Sequence, residues 1–235
     1  MSSRFGTASG WPDGGITKVS AADLVTLADR LIRDHPAGYM RYFSIPKLQH
    51  GKSPKGEPIV QPNRNPILGR FEGADGLKTG HTAEAGYCFL GSAKRNGRRL
   101  IMVVAGMNSE KARRDEAERL MKWGFDEWEG RELVPAGASL GRVDVRKGAV
   151  PAVATEAGIA VRMTVPKGYN GGYRAVMRTK GPVTAPLARG ARVAELVVTP
   201  DGLPPQTTPL IAAADVSEGG WWARARRGFY RLTGL

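Results

Sequence analysis

Lys78, Thr79 and Gly80 stand side by side, with His81 next, inside the stretch "DGLKTGHTAEAGYCFLGSAKR" of residues 75–95. A lysine supplies a fixed cation, a threonine a hydroxyl donor, and a glycine a place where backbone approaches a ligand closely. That set suits a carboxylate. The His81 backbone N–H just beyond is in position to help stabilise a tetrahedral oxyanion. The plain alternative for three such residues is a solvated basic turn. A P-loop does not fit, because that motif needs glycine directly before its lysine and Leu77 stands there.

The elements that must hold these residues are legible on either side. "GYCFLGSAKRNGRRLIMVVAGM" reads as two strands, 86–94 and 98–106, joined by Asn96-Gly97, a strong hairpin signal. Leu100–Ala105 is almost wholly apolar, so both faces of that strand should be buried. Residues 20–34 are expected to be a helix, capped by Ser20, with Leu24, Leu27, Ala28 and Leu31 on one face and His35-Pro36 closing it. Residues 109–130 read as a second, longer helix, capped by Ser109, with Ala117, Leu120, Met121, Phe125 and Trp128 on one side. The intervening 37–66, rich in Gly, Pro, Lys and Asn, reads as irregular. From 132 to 216 the helical period disappears. Short alternating segments at 139–145, 159–165, 173–178, 191–199 and 207–213, punctuated by Gly and Pro, indicate a small all-β sandwich or barrel.

Composition limits the partners. The 235 residues carry 35 basic and 22 acidic side chains, a formal charge of +13, and a pI near 10.2. Such an excess favours anionic partners without choosing among them. Nucleic acid is set aside, because no zinc-finger spacing, aromatic RNA-binding run or helix-turn-helix accompanies the charge. Cys88 is the single cysteine, so no intramolecular disulfide is possible, and His35, His50 and His81 show no metal spacing. No metal or cofactor is expected. The first fifteen residues lack the apolar stretch of a signal peptide. The tail, "GGWWARARRGFYRLTGL", places Trp221, Trp222 and Phe229 on one side of a helical wheel and Arg224, Arg227 and Arg231 on the other. It is too short to span a bilayer and suits a helix lying on an anionic membrane surface; the alternative is a terminal helix packed on its own domain.

K-T-G is also one of three elements, with S-x-x-K and S-D-N, in penicillin-binding proteins and class A β-lactamases. More than the triplet matches. "NRNPILGRFEGADGLKTGHTAEAGYCFLGSAKRNGRRLIMVVAGM", "SEKARRDEAERLMKWGF" and "GITKVSAADLVTLADRLIRDHP" resemble, in order and spacing, the low-molecular-mass penicillin-binding proteins, the serine-type D-alanyl-D-alanine carboxypeptidases. The β-rich 132–216 is similar to their C-terminal domain and the Trp/Arg tail to their amphipathic anchor. The appended β domain argues against a serine β-lactamase.

The resemblance implies an α/β (α+β) transpeptidase-like domain with an antiparallel sheet. It implies a hydrolase that trims terminal D-alanine from peptidoglycan stem peptides through an acyl-enzyme and reacts with β-lactams, at the periplasmic face of the bacterial inner membrane. Lys78 and Thr79 would hold the substrate carboxylate, Gly80 would admit it, and the His81 amide would lie in the oxyanion hole. Arg113 would orient the same carboxylate, whereas Arg114 beside it reads as an exposed helix charge. The resemblance divides the chain into 1–131, the C-terminal portion of the catalytic domain, 132–218, the β domain, and 219–235, the anchor helix.

The family pattern breaks at the nucleophile. No S-x-N occurs, and the one S-x-x-K, Ser44-Ile45-Pro46-Lys47, precedes Gly and Pro that leave a helix nowhere to run. It reads as a decoy. The expectation is a chain that begins partway through a catalytic domain, lacks the attacking serine and is inactive alone. The competing reading is a non-catalytic envelope protein that binds peptidoglycan or membrane.

Overall fold

The computed structural model describes residues 2–220. The anchor helix expected at the C-terminus lies outside the described residues. The chain divides into two compact units, with the break between Glu127 and Trp128.

The first unit opens with α1 (Ala21–Asp34), whose Ser20 side chain accepts from the Asp23 N–H as an N-cap. His35 ends that helix, and Pro36 at once begins α2 (Pro36–Phe43). Proline has no N–H to lose at a helix start and disfavours helix in the residue before it, so one residue both stops and starts a helix. Residues 37–66 are therefore not irregular. After α2, β1 (Lys47–Lys52) and β2 (Pro58–Pro62) form an antiparallel ribbon, exposed along its whole length. Ribbons of this kind carry no buried stripe, so hydropathy gave no signal for them.

Then come β3 (Ala74–Thr82), β4 (Gly86–Arg95) and β5 (Arg98–Met107), an antiparallel sheet in the order β3-β4-β5. Asn96 (φ 48°) and Gly97 (φ 76°) make the β4–β5 turn, as the dipeptide requires. α3 (Glu110–Asp126), capped by Ser109, follows. It stops short of the expected 130, because Trp128 enters a strand instead. The pleat gives the sheet two apolar faces. On one, Phe89, Ala93, Met102 and Val104 pack with Ala117 and Met121 of α3. On the other, Leu90 and Ile101 lie with Ala28 of α1 and Tyr39 of α2.

The second unit is all β. Its strands are β6 (Trp128–Val134), β7 (Ser139–Arg146), β8 (Ala152–Ala157), β9 (Val161–Pro166), β10 (Tyr173–Arg178), β11 (Val183–Thr184), β12 (Arg192–Pro200) and β13 (Gln206–Ala212). Six of them form a sheet in the order β10-β12-β13-β8-β7-β11, and β6 pairs with β9. Residues 179–182 join β10 to β11, the two outer strands of the six. A link that short reaches at most about 18 Å, whereas a flat sheet would set the outer strands about 24 Å apart. The sheet must therefore curl, bringing its edges towards each other. Its inner side and the β6–β9 pair share one core that includes Val145, Val161, Met163, Val165, Leu196, Val198 and Leu210.

Candidate active site

Lys78, Thr79, Gly80 and His81 lie in the second half of β3, which is an edge strand. They stand opposite Leu90, Phe89, Cys88 and Tyr87 of β4, in that order. Alternation then separates them. Thr79 and His81 share the face of Phe89 and Tyr87, where α3 packs, while Lys78 and Gly80 share the face of Leu90 and Cys88. Gly80 has open space where a side chain would begin, so packing does not require a glycine there. Its exposed backbone is free to be approached.

A cleft of about 460 Å³ opens beside this strand. Lys78 and Thr79 line one side; Tyr42 and Phe43 of α2, Leu48 and Gln61 of the ribbon, and Asn63 and Arg64 just after it line others. The Lys78 ammonium donates to the Thr79 carbonyl at 2.6 Å and is otherwise exposed. A partner carboxylate that offered a stronger, charge-assisted bond would recruit it. Two asparagines fix the ribbon. Asn63 Nδ2 donates to the Ile45 carbonyl at 2.9 Å, its Oδ1 accepts the Asn65 N–H at 2.9 Å, and Asn65 Oδ1 accepts the Ile67 N–H at 3.0 Å.

α2 is held by a network that sequence reasoning missed. The Tyr39 hydroxyl donates to Asp75 Oδ1 at 2.6 Å; Arg99 clamps Asp75 at 2.9 and 2.8 Å and donates to Ser92 Oγ at 2.5 Å. Burial, reinforced by the bond to Asp75, holds the Tyr39 phenol well above its usual range. The network is three residues upstream of Lys78, and Gly76 makes it possible: a Cβ there would lie 2.5 Å from the Tyr39 hydroxyl. The sequence signal was present in that glycine, in a strand otherwise free to carry a side chain.

Arg113 projects from the first turn of α3 and is 5% exposed. Its guanidinium lies 5.5 Å from the centre of the Tyr87 ring, which in turn packs at a tilt against His81, with ring centres 4.0 Å apart. Nε has no hydrogen-bond partner, and Glu110 is 3.8 Å away. A buried guanidinium with a spare donor is a costly arrangement unless an anion visits it. Arg113 thus reaches β3 through Tyr87, and it is not part of the cleft lining. Arg114 pairs with Asp115 at 3.2 Å on the helix surface.

Ser44 and Lys47 fall in different elements. Ser44 caps the C-terminus of α2, its hydroxyl donating to the Met40 carbonyl, and Lys47 is the first residue of β1. The hydroxyl proton is committed to a helix carbonyl and not to a lysine base. Among the described residues no cluster of potential metal ligands occurs, and no helix is long and apolar enough to cross a membrane.

A family model described as D-alanyl-D-alanine carboxypeptidase matches residues 2–109, and one for the penicillin-binding protein 5 C-terminal domain matches residues 128–218. D-alanyl-D-alanine carboxypeptidase DacC of Escherichia coli is 33% identical over 207 residues. The chain belongs to the low-molecular-mass penicillin-binding proteins. That alignment takes in 87% of this chain and 50% of DacC; for DacA of Haemophilus influenzae, at 32% identity, the shares are 86% and 50%. The chain therefore spans about half the length of these curated relatives. Penicillin-binding protein 5 from Haemophilus influenzae superposes with a TM-score of 0.63 at 32% identity, over 92% of this chain and 61% of that one. DacD from Francisella tularensis gives 0.57 at 26%, over 92% and 64%.

Proposed function

We propose that this chain supplies the carboxylate-binding wall of a serine-type D-alanyl-D-alanine carboxypeptidase. Lys78 attracts the free terminal carboxylate of the stem peptide, the Thr79 hydroxyl donates to it, and the exposed backbone at Gly80 lets the peptide lie along the edge strand. The His81 amide adds a donor for the developing oxyanion. Arg113, held by Tyr87, contributes a second positive charge behind the strand. β-Lactams, whose carboxylate mimics the same end, enter the same cleft. By family, the reaction belongs to the periplasmic face of the inner membrane.

The observation that carries this reading is the open cleft walled by Lys78 and Thr79 on an unpaired sheet edge. The family names support the same chemistry. Ser44, tied to the Met40 carbonyl, and Lys47, on an exposed ribbon, speak against that pair as nucleophile and base. The reading is therefore of a chain that binds the peptide without itself turning it over.

Fluorescent penicillin tests this directly. The chain should take no covalent label, and an acyl-D-Ala-D-Ala peptide should bind reversibly, with Lys78→Ala weakening that binding about tenfold, the share of one charge-assisted bond. Covalent label on Ser44, or peptide binding indifferent to Lys78, would contradict the reading.

A further inference from the structure

The second unit has a cleft of its own. It measures about 580 Å³ and is lined by Arg178, Lys180, Gly181, Pro182, Arg192 and Glu195, among others. It follows from the curl of the six-stranded sheet. Arg178 ends β10, Lys180 and Gly181 lie in the short link from β10 to β11, and Arg192 and Glu195 belong to β12, the neighbour of β10. The cleft thus lies where the link between the two sheet edges turns.

Its charges are unequal. Three cations face one carboxylate. Arg192 donates to Glu195, and Glu195 stands opposite Arg178 in the β10–β12 register. Arg178 and Lys180, both exposed, form no ion pair among the described residues. Gly181 holds φ at 105°, a conformation that keeps side-chain bulk out of the link. The volume is in the range of small-molecule sites. Two guanidinium forks and an ammonium, less one carboxylate, leave a surplus that a monocarboxylate would not use and a phosphate would. Arginine meets phosphate oxygens with two parallel N–H bonds, and lysine adds a point charge.

We propose that this cleft binds a phosphate group. The site is independent of the carboxypeptidase reading: it uses no residue of the first unit. Glu195 opposes the anion and orients Arg192, so it sets how tightly phosphate is held. The phosphate could come from a soluble polyphosphate or from a lipid headgroup, and the test separates them.

Sodium tripolyphosphate is titrated calorimetrically into the full chain, which also carries the Arg-rich residues 221–235. The proposal expects binding that weakens about tenfold in an Arg178→Ala, Lys180→Ala double variant and tightens severalfold in Glu195→Gln. Raising sodium chloride from about 20 to about 200 mM should weaken it as screening grows. Unchanged melting curves verify that these exposed substitutions leave the fold intact. Phosphatidylglycerol vesicles, set against phosphatidylcholine, give the second arm. Parallel loss of vesicle and tripolyphosphate binding in the double variant identifies a lipid headgroup; loss of tripolyphosphate binding alone identifies a soluble phosphate. No tripolyphosphate binding, equal binding by the double variant, or citrate bound as tightly as tripolyphosphate would overturn the proposal.

Discussion

Asp75 is the residue on which the cleft wall depends, because it receives both Tyr39 and Arg99 in a half-buried setting. Tyr39→Phe removes one donor and should cost about 1–2 kcal/mol, whereas Asp75→Ala strands a guanidinium and a phenol and should cost about 3 kcal/mol or more. Chemical denaturation of the full chain measures both. Gly76→Ala should be as damaging as the first of these, since the new methyl meets the Tyr39 hydroxyl at 2.5 Å and α2 must move. The contrast is Gly80→Ala, which has room and should leave stability unchanged while hindering peptide binding. Tyr39 also gives a pH signature. Its folded pKa is raised, so the stabilisation is complete below pH about 10 and fades above it, as the unfolded phenol ionises first. Ultraviolet titration should show one tyrosine resisting ionisation until the first unit unfolds. Lys78, Thr79 and Gly80 were singled out by residue type together with the family-like stretch around them, and they fall on one edge strand. Tyr39, Asp75 and Ser92 were not, because their meaning lies in three elements meeting.

At the scale of elements, caps and turns were the readable features. Ser20, Ser109 and Asn96-Gly97 act locally, and each structure element they govern forms as its residues require. The β1–β2 ribbon and α2 were hidden, since neither has a full buried stripe to set a period. β8 was hidden as well: its Ala-rich alternation of half-buried and buried positions has little hydropathy contrast. The start of α1 makes a separate prediction. Hydrogen bonds from the Ser3 hydroxyl and from the Ser2 and Ser3 backbone N–H groups hold the Asp23 carboxylate down at about 2. A depressed carboxylate stabilises its tether fully above pH about 4, and the effect is lost as pH falls towards 2. Carbon-detected NMR of Asp23 should titrate in that window. In Ser3→Ala the midpoint should move up towards 3.8, the unperturbed value.

The two units differ in how much apolar surface they enclose. Phe5, Trp11, Leu27, Met40, Tyr42, Leu48 and Val60 of the first unit are each at least half exposed. The second unit keeps a continuous core across its two sheets. A chain cut to residues 128–220 should therefore melt cooperatively, and one cut to 1–127 should melt broadly and bind a hydrophobic dye. A sharp melt of 1–127 with protected amides would contradict that. The β character of the second unit and the strand–hairpin–strand–helix order of the first were both visible in the sequence, because each rests on local period and turn chemistry. The cleft was not, since its walls come from α2, a ribbon and β3, which carry no shared sequence pattern and meet only on folding. What the molecule does with that cleft turns on whether Lys78 and Thr79 grip a free acid. The direct measurement is an NMR titration of the full chain with an acyl-D-Ala-D-Ala peptide and, separately, with its C-terminal amide. The amide signals of Lys78, Thr79, Gly80 and His81 should move with the acid and stay in place with the amide. Equal shifts with both, or shifts confined to residues outside β3, would contradict it.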